Sequence, residues 1–313
     1  MDELLHQIPQ QVANGLVKGS LYALVALGYT MVYGIIGLIN FAHGEVVMIG
    51  AMLTITLLNL FVSMGIHLPG AVLVLMALLI AMPCCMLLAF GMERIAYRPL
   101  RKAPRLAPLI TAIGISLMMQ YGAVMFWTST PKTFPLVIDI QSVTILGAAL
   151  DNVKVTIIVT AFAMMLGLWY LVERTKLGKA MRATSLNQEV AGLMGININY
   201  VISMTFVIGA ALAAIAGVMQ SANYGQASPF MGVELGLAAF SAAVLGGIGN
   251  IFGAMAGGIL LGLIETLGIM TLSILTNGAI GSHYERVLSF VVLIMVLVFR
   301  PNGLLGERVA ERA

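Results

Sequence analysis

Arg182-Ala-Thr-Ser-Leu-Asn-Gln-Glu-Val-Ala-Gly-Leu-Met-Gly-Ile196 is a polar stretch set between two apolar runs, near 153–172 and 201–221. Each run is about 20 residues, the length at which a helix rising 1.5 Å per residue crosses roughly 30 Å of hydrocarbon. The flanks therefore read as membrane spans and the stretch between them as the loop that joins them. That contrast sets the fold class, and the rest of the chain repeats it.

Of the 313 residues, 60% are hydrophobic and only 9% charged. A soluble domain of this length carries about 25% charged residues, so the medium around this chain is lipid. Apolar segments fall near 14–36, 45–63, 69–91, 108–128, 153–172, 201–221, 234–249, 251–272 and 286–300. Alternation with period two is absent, which argues against a transmembrane barrel. The class is an all-α polytopic membrane protein with about 8–9 transmembrane helices, a single transmembrane domain over 1–313. The run after Val12 is too long for the apolar region of a cleaved signal peptide, so the N-terminus is expected to be retained. Cys84 and Cys85 are adjacent in an apolar run and suggest neither a metal site nor a disulfide.

Charge orients the spans. The loop Glu93–Arg105 holds Arg94, Arg98, Arg101, Lys102 and Arg105 against Glu93, a net of 5 − 1 = +4. The loop Glu173–Glu189 holds Arg174, Lys176, Lys179 and Arg182 against Glu173 and Glu189, a net of 4 − 2 = +2. Short loops rich in Lys and Arg stay cytoplasmic. The loop near 129–152 has only Lys132 against Asp139 and Asp151 and reads as external, while the tail with Arg300, Arg308 and Arg312 reads as internal. From the internal loop at 173–200 to an internal end, the chain needs the Gly246–Asn250 break to be an inside turn. Four segments (14–128) precede the span and loop at 153–200, and four (201–300) follow. The first quartet starts outside and the second inside, the arithmetic of an inverted-topology repeat.

Two tight polar breaks interrupt the apolar helices. Asn40-Phe-Ala-His-Gly-Glu45 brings Asn40, His43 and Glu45 within six residues, and ionisable groups at membrane depth usually face a cavity or a partner group. It lines the pathway or a gate, or it is a connection at the inner surface in which Asn40 and Glu45 cap helix ends. Gly246-Gly-Ile-Gly-Asn250 is the second break, and Gly246, Gly247 and Asn250 are candidates for the same role. Glu265 lies inside a late span, where it serves the pathway or pairs with a neighbouring helix. No ladder of Asp, Glu and His runs along one helix, which weakens a proton-coupled pump. Runs such as Gly253-Ala-Met-Ala-Gly-Gly258 are helix-packing faces.

No phosphate-cradling glycine loop, zinc spacing or serine elbow is present. The chain is not expected to be an enzyme, to hold a metal or cofactor, or to bind nucleic acid. If ATP drives transport here, another chain hydrolyses it.

Glu189-Val190-Ala191-x-x-x-Gly195 resembles the Glu-Ala-Ala-x-x-x-Gly loop of bacterial ABC importer permeases. Ala23-Leu-Val-Ala-Leu-Gly-Tyr-Thr-Met-Val-Tyr-Gly-Ile-Ile-Gly-Leu-Ile-Asn-Phe-Ala-His-Gly-Glu45 is similar to the N-terminal signature of branched-chain amino acid permeases of the LivH type. So are Glu93-Arg-Ile-Ala-Tyr-Arg-Pro-Leu-Arg101, Ala243-Val-Leu-Gly-Gly-Ile-Gly-Asn250 and Arg300-Pro-Asn-Gly-Leu-Leu-Gly306. The resemblance covers nearly the whole chain. It implies the ABC importer permease fold, a bacterial inner-membrane location, and import of leucine, isoleucine or valine. It also implies a second related permease subunit, two cytoplasmic ATPase subunits that use the ATP, and an extracytoplasmic binding protein. Related permeases for urea and short amides share the His-Gly-Glu break, so another small polar solute remains the alternative, with an ion-coupled secondary transporter a further one.

On this reading residues from about Asn187 to Met194 form a short helix on the inner face. Asn187 or Ser185 caps it and Gly195 turns the chain out of it. Val190, Leu193 and Met194 insert into a groove on an ATPase, with Glu189 and Ala191 completing the loop's motif.

Overall fold

The computed structural model describes residues 2–101, 103–104, 106–135, 141–145, 147–276, 278–279, 281–300 and 302–306. Lys102, Arg105, Asp139, Pro301, Arg308 and Arg312, used above in reading the loops, the tail and the C-terminal motif, lie outside the described residues.

In chain order the helices are α1 (Asp2–Ile36), α2 (His43–Ser63), α3 (Gly70–Met92), α4 (Leu106–Trp127), α5 (Asn152–Arg174), α6 (Lys176–Leu186), α7 (Gln188–Leu193), α8 (Ile198–Tyr224), α9 (Met231–Gly246), α10 (Ile251–Leu275) and α11 (Glu285–Phe299). The strands are short: β1 (Lys132–Thr133), β2 (Ser142–Ile145), β3 (Ala148–Asp151) and β4 (Gln226–Ala227). Among the described residues eight helical segments are long and apolar enough to cross a membrane: α1, α2, α3 with its continuation to Tyr97, α4, α5, α8, α10, and α11 together with the turn that leads into it (Ser282–Phe299). Helices dominate because hydrocarbon offers backbone N–H and C=O groups no partner outside their own segment. The segment expected at 234–249 is α9, and its 16 residues reach only about 24 Å. The first helix begins at Asp2, well before residue 14, because the polar start of the chain continues the same helix. The 173–200 connection holds two helices, α6 and α7, where one was expected.

The chain forms two compact units, each assembled from segments that are distant in sequence. One comprises Met1–Thr30, Ile140–Met165 and Ala238–Ala313. Within it α1 and α10 touch through glycines: a Cβ on Gly258 would stand 2.6 Å from the Cα of Ala23, and one on Gly19 would stand 2.6 Å from the Cα of Ile259. Without a hydrophobic drive between helices in lipid, such close backbone approach supplies the packing energy. The β2–β3 hairpin is antiparallel, and Gln10 holds it by accepting from the Ala149 N–H at 2.7 Å and donating to the Ala149 carbonyl at 3.2 Å.

The other unit comprises Met31–Asp139 and Leu166–Leu237. Here α2, α3 and α8 pack around Met48, Met52, Ile55, Leu58 and Leu73, joined by Ala77, Ala123 and Phe134. Small residues again set the spacing. A Cβ on Gly50 would stand 2.8 Å from the Cα of Ala214, and one on Gly217 would overlap the Val47 carbonyl. The loop after α4 is tied down by β1, which pairs antiparallel with β4 just beyond α8.

Candidate functional site

The opening stretch folds as two helices hinged on one residue. Thr175 caps α6, its hydroxyl accepting from the Gly178 N–H at 3.0 Å. Gly178 lies against the Leu171 and Val172 carbonyls, where a side chain would not fit. Arg182 donates to the Val172 carbonyl at 2.9 Å and pairs with Glu173, stapling α6 to the end of α5. Asn187 then takes an extended backbone and ends α6 while starting α7. Its side-chain oxygen accepts from the N–H groups of Glu189 at 3.0 Å and Val190 at 3.1 Å, which have no partner inside the helix. The cap is thus Asn187; Ser185 instead donates to the Arg182 carbonyl within α6.

The exit is equally determined. The N–H of Gly195 bonds to the Gly192 carbonyl at 3.0 Å and that of Ile196 to the Ala191 carbonyl at 3.1 Å. This pair of bonds is the Schellman closure, which needs a left-handed residue at its pivot. Gly195 supplies it with φ +84°. Asn197 caps α8 directly afterwards, accepting from the Tyr200 N–H at 3.1 Å. A six-residue helix has little stability of its own, so these caps at both ends are what define α7.

Four large apolar side chains of this segment stand exposed, alongside Asn187 and Glu189. Leu193 is 87% exposed and Met194 79%, and Val190 and Leu186 stand out beside them. Leu186 went unrecognised in the sequence, although its place as the last residue before the cap was a usable signal. Ala191 is buried, so it anchors α7 to its own protein, and Glu189 lies at the start of the helix where an acidic group favours the dipole.

The Asn40–Glu45 break joins α1 to α2. Gly37, with φ +69°, ends α1, and its N–H bonds to the Tyr33 carbonyl at 2.7 Å. Asn40 is buried; its side-chain oxygen accepts from the Ala42 N–H at 3.1 Å and from the Tyr97 hydroxyl at 2.6 Å. His43 is buried at the start of α2. Glu45 caps nothing. Its carboxylate, 0% exposed, accepts from the Ser116 hydroxyl of α4 at 3.1 Å, and its other oxygen lies against Gly232. Gly44 touches the Gly232 carbonyl closely enough to exclude a side chain. Asn40 therefore does support the helix start, whereas Glu45 turns inward between α2, α4 and the first turn of α9.

A second buried carboxylate in this unit was read only as part of a basic loop. Glu93 is 0% exposed, pairs with Arg101, and accepts from the Ser203 hydroxyl of α8 at 2.6 Å. Arg101 also donates to the Asn199 side chain at 2.8 Å. Burial pushes the Arg101 guanidinium pKa below its usual value, and the Glu93 carboxylate opposes that shift.

In the other unit, the Gly246–Asn250 break is a tight turn with Gly247 at φ +103° and Gly249 at φ +105°. Asn250 caps α10 through the Gly253 N–H at 2.9 Å and donates to the Leu305 carbonyl at 3.0 Å. Residues 302–306 lie along this turn: the N–H of Leu304 bonds to the Leu245 carbonyl and that of Leu305 to the Gly246 carbonyl, each at 2.9 Å. Gly246, Gly247 and Asn250 thus form a docking turn for the C-terminal segment. Glu265 pairs with Lys18 of α1 and accepts from Tyr22 and Ser289. Among the described residues no group of His, Cys, Asp and Glu could hold a metal ion.

A family model described as branched-chain amino acid transport system / permease component matches residues 11–297. The chain is 43% identical to the high-affinity branched-chain amino acid transport system permease protein BraD of Pseudomonas aeruginosa, over all of both chains. It is 41% identical to the high-affinity branched-chain amino acid transport system permease protein LivH of Escherichia coli strain K12, again over all of both. Among solved structures it is similar to a chain of PsaBC from Streptococcus pneumoniae in complex with Fab, with a TM-score of 0.50, 12% identity and 96% of each chain covered. That last likeness is one of fold.

Proposed function

We propose, from the premise that this chain belongs to the family of branched-chain amino acid transport permease components, that it is the membrane subunit of an ATP-driven importer for leucine, isoleucine and valine. It works in the inner membrane of a bacterium, beside a second related permease subunit. Two cytoplasmic ATPase subunits supply the ATP chemistry, and an extracytoplasmic binding protein delivers the substrate. The relatives that match over the full length of both chains carry the substrate in their names, which supports that part of the reading.

The observation that carries the coupling role is the exposure of apolar side chains on and beside α7. Val190, Leu193 and Met194 stand exposed along a helix capped by Asn187 and closed by Gly195, with Leu186 exposed at the end of α6 beside it. Exposed apolar side chains on a rigid, capped helix suit a groove on a partner. When the ATPases close on ATP the groove moves, and α7 transfers that motion to α5 and α8 at either side of the loop. Asn40, His43 and Glu45 stand at the inner end of the pathway, and Gly246, Gly247 and Asn250 hold the corresponding break in the second half of the chain. Branched-chain substrates are zwitterions with apolar side chains, so a weakly polar pathway suffices and tight recognition rests with the binding protein.

Gly195→Trp forces a bulky side chain onto a left-handed backbone, and Glu189→Lys puts a cation at the helix start. Each variant is expected to abolish uptake while the permease still assembles in the membrane. Normal substrate-stimulated ATP hydrolysis in both would refute the coupling role. Competition of labelled leucine uptake by valine, isoleucine, urea and short amides tests the substrate: displacement by urea and amides but not by valine would overturn it.

A further inference from the structure

Glu93, Tyr97 and Arg101 recur every four residues at the end of α3, where the helix continues through a π-helical turn over Glu93–Tyr97. Such spacing puts the three side chains on one face, and π-turns of this kind are frequent at functional positions. That face meets two other segments. Toward α8, Glu93 accepts from Ser203 at 2.6 Å and Arg101 donates to Asn199 at 2.8 Å. The Tyr97 ring lies 5.2 Å from that of Phe206, also on α8. Toward the break between α1 and α2, the Tyr97 hydroxyl donates to Asn40 at 2.6 Å, and Asn40 in turn accepts from the Ala42 N–H.

Only Met194–Asn197 separates α7 from α8. Asn199 and Ser203 belong to the first two turns of α8, so whatever displaces α7 displaces them first. We infer that Glu93, Tyr97 and Arg101 are a positioning relay that carries displacement of α7 to the break between α1 and α2. Arg101 and Glu93 hold the end of α3 to α8, and Tyr97 carries the movement to Asn40. A buried carboxylate–guanidinium pair with hydroxyl and amide partners is rigid because separating any member leaves a charge unpaired. The apolar packing of Tyr97 on Phe206 keeps that residue in step with α8. The relay rests on the coupling role proposed above for α7, and it adds a defined route from α8 through the end of α3 to the break between α1 and α2.

The test uses the complete importer, permease pair, ATPases and binding protein, reconstituted in proteoliposomes. Tyr97→Phe keeps the ring against Phe206 and removes the hydrogen bond to Asn40. It is expected to assemble with its ATPases and hydrolyse ATP, while substrate imported per ATP falls about tenfold, a typical size for the coupling between two sites. Adding Asn199→Ala to Tyr97→Phe is expected to lower that ratio no further, since the two break one route in series. Should Tyr97→Phe fail to assemble, Asn199→Ala at the exposed edge of the network carries the same expectation. An unchanged ratio of import to hydrolysis, or strictly additive effects of Tyr97→Phe and Asn199→Ala, overturns the relay. A wild-type complex that shows no ATP-dependent uptake overturns the importer reading instead, so the two failures are distinct.

Discussion

Lys18 of α1 places its ammonium 2.7 Å from the carboxylate of Glu265 on α10 and 2.5 Å from that of Glu285 on α11. Glu265 is nearly inaccessible and also accepts from the Tyr22 hydroxyl at 2.8 Å and from Ser289. Its charge is therefore matched by a cation and two hydroxyls within one unit. Removing one partner of a buried ion pair costs about 3–5 kcal/mol, because the other charge is left uncompensated. Glu265→Ala is expected to lower the melting temperature of the detergent-purified protein sharply. The double variant Lys18→Met with Glu265→Leu should lose much less than the sum of the single changes. Transport lost in Glu265→Ala at unchanged melting temperature would instead assign Glu265 to the pathway.

The glycines that bring helices together differ sharply from those that do not. A side chain on Gly217 would overlap the Val47 carbonyl, while nothing lies within 4 Å of one on Gly167 in α5. Gly217→Leu is expected to abolish the monodisperse peak in size-exclusion chromatography. Gly167→Ala should leave that peak intact and gain up to about 1 kcal/mol from helix propensity.

The C-terminal segment is part of the fold. Gly303 has φ +73° and lies against the backbone of Gly247, so Gly303→Val meets both a strained backbone and a steric clash. The variant is expected to free residues 302–306 from the Gly246–Asn250 turn. Limited proteolysis checks this: cleavage near the C-terminus should become several-fold faster in Gly303→Val. Unchanged cleavage would show that the backbone bonds of Leu304 and Leu305 survive the substitution.

Sidedness follows from the basic loops. In a background with Cys84 and Cys85 replaced by serine, a cysteine at Thr130 is expected to react with an impermeant maleimide in intact spheroplasts. One at Ser185 should react only after the membrane is opened. Both positions are exposed, so the difference reports the side of the membrane.

Much of this was legible in the residues themselves. A cap at Asn187 or Ser185 and the turn at Gly195 could be read before any coordinates, because both depend on interactions within five residues along the chain. The same holds for the helical class, since a run of apolar residues in lipid has to satisfy its backbone internally. The start of α1 and the placing of α9, three residues earlier than its apolar run, were not legible, for helix ends depend on what the neighbouring segments cover. Glu93 was counted only as one charge in a loop, and its role emerged when Ser203, distant in sequence, came within hydrogen-bonding reach.

Composition and local pattern by themselves determined a polytopic helical membrane protein with a short, doubly capped helix in its central loop. The tertiary structure alone decided where the buried charges go: Glu265 to Lys18, Glu93 to Arg101 and Ser203, Glu45 to Ser116. A carboxylate in an apolar segment announces that it needs a partner, because leaving it unpaired in hydrocarbon is so costly. Which partner it finds depends on how helices far apart in the sequence pack together.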